Sequence, residues 1–345
     1  MVAPAGRVTP TPLMRIASGF GMTKALAAAV DLGLFDYLSK VVTATTADVC
    51  RDLGLVERPA VMLLTTCTAL ELLESDGEHY RNSAVAEEFL VLGKRHYFGD
   101  YVKLKNVRAY ESWGELLKAL RTNAPTMWDP KTQDSPFEDI SQEEAQLFYS
   151  AMRSISAYTA AALAKAVDLS GAKKLLDVGG GSGVYGIELG RVYENLHTTV
   201  YDLPSVAPLA EQAAAAAGMA DRISAAPGDF LKDERLPGGH DVVLLSSVLH
   251  NWGPEFDASL VRKVYEAVEP GGTVIVCEVF VSDDGDGPLE GALMSLNMLV
   301  ETSGGANYRK HEYETWLTDA GFTDIEFVSF EAAGANGAML GRKPL

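Results

Sequence analysis

The stretch KLLDVGGGSG, residues 174–183, carries the strongest signal for the fold. Its apolar first half passes directly into a glycine-rich turn, which is typical of a strand followed by a ligand-binding loop. Glycine lets such a turn adopt positive φ and lets a ligand touch the backbone. A helix that begins after the turn would offer its free N–H groups to the same ligand. The stretch therefore predicts the first strand of an α/β domain with a binding loop at its end.

Strand-like and helical runs alternate on the C-terminal side of this loop. Strand-like runs cover residues 198–201, 223–226, 241–245 and 273–278, and helical runs cover residues 186–193, 206–217 and 257–268. Such alternation predicts a mostly parallel sheet with helices on both faces. Ligands of these sheets bind beyond the carboxyl ends of the strands, where the strand order reverses. The residues just after each strand are therefore the candidates for chemistry.

The chain before residue 171 has a helical pattern. One helix is predicted over residues 45–54 and a second over residues 58–73, and a turn with Asp76-Gly77 at its tip follows. This order is that of a winged-helix unit. Its candidate recognition helix carries no Lys/Arg cluster, so we expect the unit to pack against another subunit rather than to bind DNA.

Composition narrows the function classes. The length of 345 residues suggests two domains, and 47 Asp and Glu against 29 Lys and Arg give a net charge of −18. That sign disfavours a nucleic-acid partner. The sequence shows no secretory signal and no apolar stretch near the ~20 residues that span a bilayer, so we expect a cytoplasmic protein without a membrane partner. The three cysteines fit neither a disulfide framework nor a zinc site.

Acidic residues follow three successive predicted strands. Asp177 ends the first, Asp202 ends the second, and Asp229 follows the third beside Phe230. Asp177 would repel a pyrophosphate but suit an ammonium group, Asp202 is placed to accept hydrogen bonds from ribose hydroxyls, and Asp229 could accept the adenine amino group. The set predicts an adenosine-containing cofactor. Residues 181–186 also match the dinucleotide pattern G-x-G-x-x-G, so a nicotinamide oxidoreductase is an alternative.

A histidine follows the fourth predicted strand. His250 lies in the stretch VLHNW, residues 248–252, one turn past the strand end. A neutral imidazole with a pKa of about 6.5 is suited to remove a proton from a phenolic hydroxyl. Glu278 ends the fifth strand and is positioned to orient this ring. The two residues predict a general base and its partner.

Together these motifs resemble the class I S-adenosylmethionine-dependent methyltransferases, and more narrowly the small-molecule O-methyltransferase family of plant caffeate-type and bacterial natural-product enzymes. The resemblance covers essentially the whole chain. It implies a homodimer built through a mainly α, winged-helix-like dimerisation domain at residues 1–100. It also implies a helical linker at residues 101–170 that contributes to the substrate pocket, and an α/β, Rossmann-like methyltransferase domain with a mostly parallel sheet at residues 171–345.

The resemblance also assigns roles to residues. His250 matches the general base of the family, and Glu278 matches the acidic residue that holds it. The residues expected to bind S-adenosylmethionine are Asp177, Gly179, Gly181, Gly183, Asp202, Leu203, Gly228, Asp229, Phe230 and Ser246. The implied reaction is methyl transfer, without a metal, to a hydroxyl of a small aromatic substrate, in secondary metabolism such as antibiotic biosynthesis.

One stretch departs from the family pattern. Many relatives have Gly-Gly-Lys-Glu-Arg where this chain has GGANY, residues 304–308. Asn307 therefore takes the catalytic position of a second acidic partner of His250, and Glu301, nearby in sequence, could substitute for it. Because Asn307 weakens the O-acceptor pattern, C- or N-methylation on the same scaffold is an alternative. A third reading is an enzyme that binds the cofactor without transferring its methyl group.

Aromatic and methionine side chains outside the motifs are candidate walls for the acceptor pocket, because such surfaces suit a flat aromatic substrate. The candidates are Trp113, Trp128, Phe148, Met152, Tyr158, Met294 and Met298. Asn297 could hydrogen-bond a ring substituent. An ordinary place in the helical core is the other interpretation of each residue.

Overall fold

The computed structural model describes residues 8–132 and 142–345. The chain divides into two compact units, the first ending at Arg108 and the second running from Ala109 to Leu345. The winged-helix region falls in the first unit and the α/β region in the second. The predicted linker of residues 101–170 is shared between the units, and its separate character stays a prediction.

The first unit contains short helices and a small antiparallel sheet. Its helices are α1 (Thr11–Ala17), α2 (Gly19–Asp31), α3 (Leu34–Val41), α4 (Thr46–Leu53), α5 (Glu57–Ala69), α6 (Ala84–Phe89) and α7 (Gly99–Leu104), with a π-helical turn at Lys105–Ala109. Its strands are β1 (Ala44–Thr45), β2 (Leu73–Ser75) and β3 (His79–Asn82), in the order β1-β3-β2.

The winged-helix order predicted from the sequence is confirmed. The Thr45 hydroxyl accepts from the N–H of Asp48, and the Asp48 carboxylate accepts from the N–H of Thr45, so a capping box begins α4. Strands β2 and β3 form the expected hairpin, with Gly77 at φ 100° near its tip. Helix α5 ends before its predicted end, because Leu73 is the buried first residue of β2.

The second unit alternates helices and strands. Its helices are α8 (Tyr110–Gly114), α9 (Leu116–Thr122), α10 (Gln142–Ala166), α11 (Val184–Val192), α12 (Ala207–Ala216), α13 (Pro254–Ala267), α14 (Leu289–Glu301) and α15 (Lys310–Ala320). Its strands are β4 (Lys174–Val178), β5 (His197–Asp202), β6 (Ile223–Pro227), β7 (His240–Ser246), β8 (Val268–Glu278), β9 (Thr323–Ser329) and β10 (Gly337–Arg342).

The strands form one sheet in the order β6-β5-β4-β7-β8-β10-β9. The five strands predicted from the sequence pair in parallel, which confirms a mostly parallel sheet. Strands β9 and β10 were not predicted, and both pair antiparallel at the edge. These two strands depart from the strict alternation of strands and helices. They follow one another without a helix between them, and a short connection of this kind joins antiparallel strands.

Alternating residues of the central strands pack into two apolar cores, one on each face of the sheet. Val243 and Leu245 of β7 pack on the face covered by α13 and α15. Val242 and Leu244 pack on the face covered by α10 and α11. Burial on both faces fixes the register of the sheet and hence the height at which each strand ends. Within residues 8–132 and 142–345, no helix has the length and apolar character needed to cross a membrane.

Candidate functional site

The candidate site lies at the carboxyl edge of the seven-stranded sheet. Strands β4 and β7 are neighbours, and the chain proceeds outward from β4 through β5 and β6 and outward from β7 through β8. The strand order therefore reverses above β4 and β7, which is where such sheets bind ligands. The glycine loop follows β4 and His250 follows β7. The fold thus brings the two predicted halves of the site to adjoining strands.

The glycine loop adopts a conformation that few other residues tolerate. Gly179, Gly181 and Gly183 have φ of 69°, 56° and 69°. The N–H of Gly179 donates to the carbonyl of Tyr201 at 2.8 Å, which ties the loop to β5. A Cβ at Gly179 would lie 3.0 Å from the Val248 side chain, so space as well as conformation requires glycine there. Gly183 is the N-cap of α11, which begins at Val184, two residues before its predicted start.

Asp177 is a buried carboxyl group below this loop. It is 1% exposed, and its Oδ2 has no hydrogen-bond partner among the described residues. Burial, with a smaller contribution from the charge of Asp202, raises the pKa of Asp177 to about 7. A Cβ at Gly180 would lie 2.5 Å from this carboxyl group, so the loop backbone approaches it closely. An unpartnered buried carboxyl at a ligand-binding edge fits a cationic ligand group.

Asp202 holds the loop from the next strand. Its Oδ2 accepts from the N–H of Gly181 at 2.8 Å, and its Oδ1 accepts from the N–H of Leu203 at 2.7 Å. Burial raises the pKa of Asp202, and these two donors oppose the shift. Each carboxylate oxygen has a second lone pair, so both can also accept from a ligand hydroxyl.

The segment after β6 borders the loop on its other side. The N–H of Gly228 donates to the carbonyl of Asp202 at 2.9 Å, and a Cβ at Gly228 would lie 2.2 Å from the ring of Tyr201. Asp229 accepts from the N–H of Leu231 at 3.0 Å, and its Oδ2 lies 3.0 Å from the ammonium of Lys232. This carboxylate is therefore placed by a local turn.

Phe230 joins this segment to the stretch that carries the histidine. Its ring packs edge-on against Trp252, with 6.1 Å between the ring centroids, and it contacts Phe256 at 6.3 Å. A Cβ at Gly179 would lie 3.6 Å from the Phe230 ring. Phe230, one of the residues expected to bind the cofactor, therefore borders the glycine loop.

The chain turns sharply where β7 ends. Ser246 is the last residue of β7 and lies opposite Cys277 of β8. Ser247 follows with φ of 56°, a conformation that is uncommon for a residue with a side chain. Its N–H donates to the carbonyl of Cys277 at 3.1 Å. This strained residue directs the chain into the short 3₁₀ turn Leu249–Asn251, and nothing in the sequence signals it.

His250 and Glu278 meet as the sequence predicts. His250 Nδ1 lies 2.6 Å from Glu278 Oε2, and the two residues are 6% and 0% exposed. The other carboxylate oxygen, Oε1, accepts from the N–H groups of Val248 and Leu249 at 3.0 and 3.1 Å. Glu278 therefore fixes both the ring and the turn that carries it. With Nδ1 engaged, Nε2 is the nitrogen that remains to accept a proton.

Opposing effects set the basicity of His250. Burial alone lowers the pKa of an imidazole, but the charge and hydrogen bond of Glu278 and the charge of Glu301 outweigh it, so the pKa of His250 is raised above 6.5. A buried base with a raised pKa is a stronger proton acceptor than free imidazole. The arrangement suits the abstraction of a weakly acidic proton.

Asn307 lies in the same region but makes other contacts. Its side-chain amide donates to the carbonyl of Val279, directly after Glu278, and its backbone N–H donates to the Ser295 hydroxyl at 3.1 Å. Among the hydrogen bonds of the described residues, none joins Asn307 to His250. Its Oδ1 is buried without a partner in the part of the chain that the structure describes. A catalytic role for Asn307 stays a prediction.

Candidate acceptor-pocket residues cluster on α14. Asn297 and Met298 are buried there, and Met294 is half-buried. The indole N–H of Trp113 donates to Oδ1 of Asn297 at 3.0 Å, and that of Trp128 donates to the carbonyl of Glu301 at 2.8 Å. The structure therefore joins both candidate tryptophans to α14.

The remaining candidates lie on α10. Phe148 and Met152 are half-buried, and the Phe148 ring packs edge-on against Tyr149. Tyr158, also on α10, is 39% exposed. The place of Phe148 and Met152 in the acceptor pocket stays a prediction.

Sequence reasoning missed two buried polar residues behind the base. Asp257, in α13, is fully buried, and burial raises its pKa to about 8. The Tyr308 hydroxyl donates to the carbonyl of Trp252 at 2.5 Å, and burial raises the pKa of this phenol. Tyr308 stands in the stretch that departs from the family pattern, which is the one signal that could have drawn attention to it.

Comparisons with known proteins agree with this geometry. Residues 113–323 match the model of an O-methyltransferase domain, and residues 14–91 match that of an O-methyltransferase dimerisation domain. The chain is 43% identical over 334 residues to 3-hydroxy-5-methyl-1-naphthoate 3-O-methyltransferase of Streptomyces sahachiroi, which covers 97% of this chain and 95% of that one.

Two further proteins are informative. L-tyrosine C(3)-methyltransferase of Streptomyces lavendulae is 34% identical over 315 residues, covering 90% of this chain and 86% of that one. The crystal structure of human N-acetylserotonin methyltransferase in complex with SAM superimposes with a TM-score of 0.85 at 29% identity, covering all of both chains.

Proposed function

The chain belongs to the O-methyltransferase family, and on this premise we propose that it transfers the methyl group of S-adenosylmethionine to a hydroxyl of a hydroxylated aromatic acid, with His250 as general base. The observation that carries the proposal is the buried pair of His250 and Glu278 beside the glycine loop, at 2.6 Å. The substrate class is suggested by the relative from Streptomyces sahachiroi, whose name specifies a hydroxylated naphthoate.

The carboxyl edge of the sheet fits the cofactor. The unpartnered carboxyl of Asp177 suits the ammonium of the methionine part, and the loop at Gly179, Gly181 and Gly183 lets that part approach the backbone. Asp202 is proposed to accept the ribose hydroxyls. Leu203, Gly228, Asp229, Phe230 and Ser246 complete the proposed cofactor site around the adenine and the loop. When bound, S-adenosylmethionine supplies a sulfonium methyl group, whose bond to sulfur breaks as the acceptor oxygen bonds to carbon.

His250 and Glu278 are proposed to handle the acceptor proton. Nε2 of His250 removes the hydroxyl proton as the oxygen attacks, and the carboxylate of Glu278 stabilises the imidazolium that forms. Because Glu278 also binds the N–H groups of Val248 and Leu249, the ring is held in place before the acceptor arrives. Holding the acceptor close to the methyl group supplies most of the rate, since the displacement needs little acid–base assistance.

The acceptor is proposed to lie against α14. Met294 and Met298 offer apolar, polarisable surface, and Asn297 is held by the Trp113 indole in a fixed orientation. Trp128, Phe148 and Met152 are proposed as further walls. A dry pocket favours the reaction because the positive charge on sulfur is lost in the transition state.

A homodimer formed through the first unit belongs to the same proposal. The match to an O-methyltransferase dimerisation domain supports it. So do Leu13, Met14, Ile16 and Phe20, four large apolar side chains on α1 and α2 that are each more than 60% exposed. A cytoplasmic location also stays part of the proposal.

The proposal is tested by incubating the purified protein with methyl-labelled S-adenosylmethionine and a panel of hydroxynaphthoic and hydroxybenzoic acids. We expect one labelled methyl group on an acceptor, detected by mass spectrometry. Methoxy analogues of the same acids are the matched controls, since their oxygen has no proton to remove. Transfer to none of the hydroxylated acids, with the cofactor bound, would contradict the proposed substrate class.

Carbon methylation is the second candidate, and the relative named L-tyrosine C(3)-methyltransferase favours it. A phenol that loses its proton to His250 also becomes more nucleophilic at the ring carbon next to the oxygen. The carbon chemical shift of the transferred methyl group separates the two outcomes, because an O-methyl carbon resonates far from a C-methyl carbon.

A further inference from the structure

The C-terminal end of α14 is held by a segment distant in sequence. The carbonyl of Val300 accepts from the N–H groups of Thr126 and Met127 at 3.0 and 3.3 Å, and the carbonyl of Glu301 accepts from the indole N–H of Trp128 at 2.8 Å. The last carbonyl groups of a helix have no partner within the helix. Residues 126–128 therefore cap α14, and we call them the capping segment.

Helix α14 and the chain that follows it lie against the turn that carries the base. Helix α14 packs on the turn Leu249–Asn251. The chain beyond the helix is pressed onto this turn as well, since a Cβ at Gly305 would lie 2.4 Å from the carbonyl oxygen of His250. The N–H of Gly305 donates to the Thr302 hydroxyl at 2.8 Å, which closes the bend between them. Glu301, the last residue of α14, therefore lies between the helix that packs on the His250 turn and the bend that contacts the His250 carbonyl.

We propose that Glu301 is a positioning residue for the base: its carboxylate, carried at the end of α14 whose backbone the capping segment holds, acts on the His250 ring as a second carboxylate beside Glu278. The proposal rests on the proposed role of His250. The proton taken from the acceptor hydroxyl resides on Nε2, and the imidazolium is balanced by two carboxylates on two elements. The partial negative charge at the C-terminal end of α14 acts in the same direction.

Of the titratable groups considered around His250, Glu278 and Glu301 are the two that can balance the charge of its imidazolium. Strand β8 contributes Glu278 and α14 contributes Glu301, whose charges both raise the pKa of His250. Helix α13 contributes Asp257, whose pKa is raised to about 8 by burial, so this group is mostly neutral near pH 7. The phenol of Tyr308 stays protonated, because its pKa is raised. Asn307 carries no charge.

The decisive measurement is the pH dependence of turnover for Glu301→Gln. Removing a negative charge from beside the ring makes His250 a weaker base, so the acid limb of the kcat profile should move to lower pH. We expect the plateau of kcat to fall about threefold to tenfold, with the KM of the acceptor changed by less than about twofold. Glu290→Gln, an exposed change in the first turn of the same helix, is the matched control and should leave the profile in place.

Two further variants guard against a merely structural effect. Glu301→Asp keeps the charge and should keep most of the wild-type position of the acid limb. Trp128→Phe removes the indole N–H and should move the acid limb in the same direction as Glu301→Gln, by less. If Glu301→Gln folds poorly, the NMR titration of the His250 ring in Trp128→Phe gives the same answer, through a lower midpoint than in the wild type.

The outcomes separate the two proposals. An acid limb that stays at the wild-type position in Glu301→Gln, while His250→Ala loses turnover, overturns the role of Glu301 and leaves the proposed function intact. Full turnover in His250→Ala removes the proposed base itself. An unshifted ring titration in Trp128→Phe, with the acid limb of Glu301→Gln shifted, overturns the part assigned to the capping segment.

Discussion

The backbone N–H of Gly181 donates to Oδ2 of Asp202 at 2.8 Å, so the carboxylate proposed to hold the ribose also holds the glycine loop. One side chain therefore supports two parts of the cofactor site. We therefore expect removal of this acceptor to affect the loop as well as the ribose contacts.

Asp202→Ala is expected to weaken the binding of S-adenosylmethionine by roughly 10²-fold, because it removes the ribose contacts and releases the loop. Calorimetric titration measures the loss, and hydrogen exchange at Gly181 should become faster in the same variant. Asp221→Ala, an exposed change after α12, is the control and should bind as the wild type does. Unchanged exchange at Gly181 would refute the second role of Asp202.

Cofactor binding is expected to release a proton from Asp177. Its pKa of about 7 in the free protein means that the carboxyl is partly protonated near neutral pH, whereas an ammonium ligand favours the ionised form. Affinity should therefore rise as the pH rises to about 7 and level off above it. Below that point it should fall by at most about tenfold per pH unit.

The proton release is measurable as a heat of binding that depends on the ionisation enthalpy of the buffer. Titrations with S-adenosylmethionine at about pH 6.5, in phosphate and in imidazole, should differ. In Asp177→Asn the difference should vanish and the affinity should lose its pH dependence over this range. A wild-type heat that is the same in both buffers would count against the assignment.

His250→Ala is expected to lower kcat by about 10²-fold or more while the affinity for the cofactor stays within a few fold. In the wild type, turnover should be lost as the pH falls through the raised pKa of His250, because the protonated ring accepts no proton. Steady-state kinetics across pH give both results. Unchanged turnover would mean that proximity alone drives the reaction.

Asp257 is expected to make stability fall as the pH rises. Its pKa is about 8 in the folded protein, whereas an unperturbed aspartate has a pKa of 3.8, so between these values the folded state binds more protons than the unfolded state. The stability contributed by the protonated group is complete below the lower value and is lost as the pH approaches about 8. Asp257→Asn should therefore melt about 5 °C higher than the wild type at pH 8, with little difference at pH 4.

Scanning calorimetry at several pH values checks this prediction. Asp319→Asn, outside the buried region, is the control and should follow the wild type at every pH. A melting difference between Asp257→Asn and the wild type that stays constant with pH would show that the carboxyl does not titrate in this range.

The sequence was sufficient for features with a local cause. Strand β4 spans Lys174–Val178 as predicted, because an apolar run and the glycines after it mark both ends. The capping box at Thr45 depends on Asp48 only three residues later, so its signal is contained in the local sequence. His250 and Glu278 were paired correctly, since parallel strands with buried faces end at one edge.

Features that depend on distant residues could not be read in this way. Trp128 and Glu301 are 173 residues apart, and no local pattern connects an indole to a helix end. The positive φ of Ser247 is imposed by the strands around it, because serine has no intrinsic preference for that conformation. Strands β9 and β10 were missed because their pairing is antiparallel at an edge, outside the alternation that revealed the other five.

The proposed reactive groups lie at or just after the carboxyl ends of strands of a single sheet, whereas most of the proposed acceptor walls lie on helices. Because of this separation, we expect the proposed acceptor walls to change without loss of the reactive groups. Exchanging Met294 or Met298 for smaller or larger side chains should redirect the catalyst towards new aromatic partners while the sheet-borne chemistry persists. Proteins with this arrangement can therefore change the substrates that they accept while they keep the same reaction.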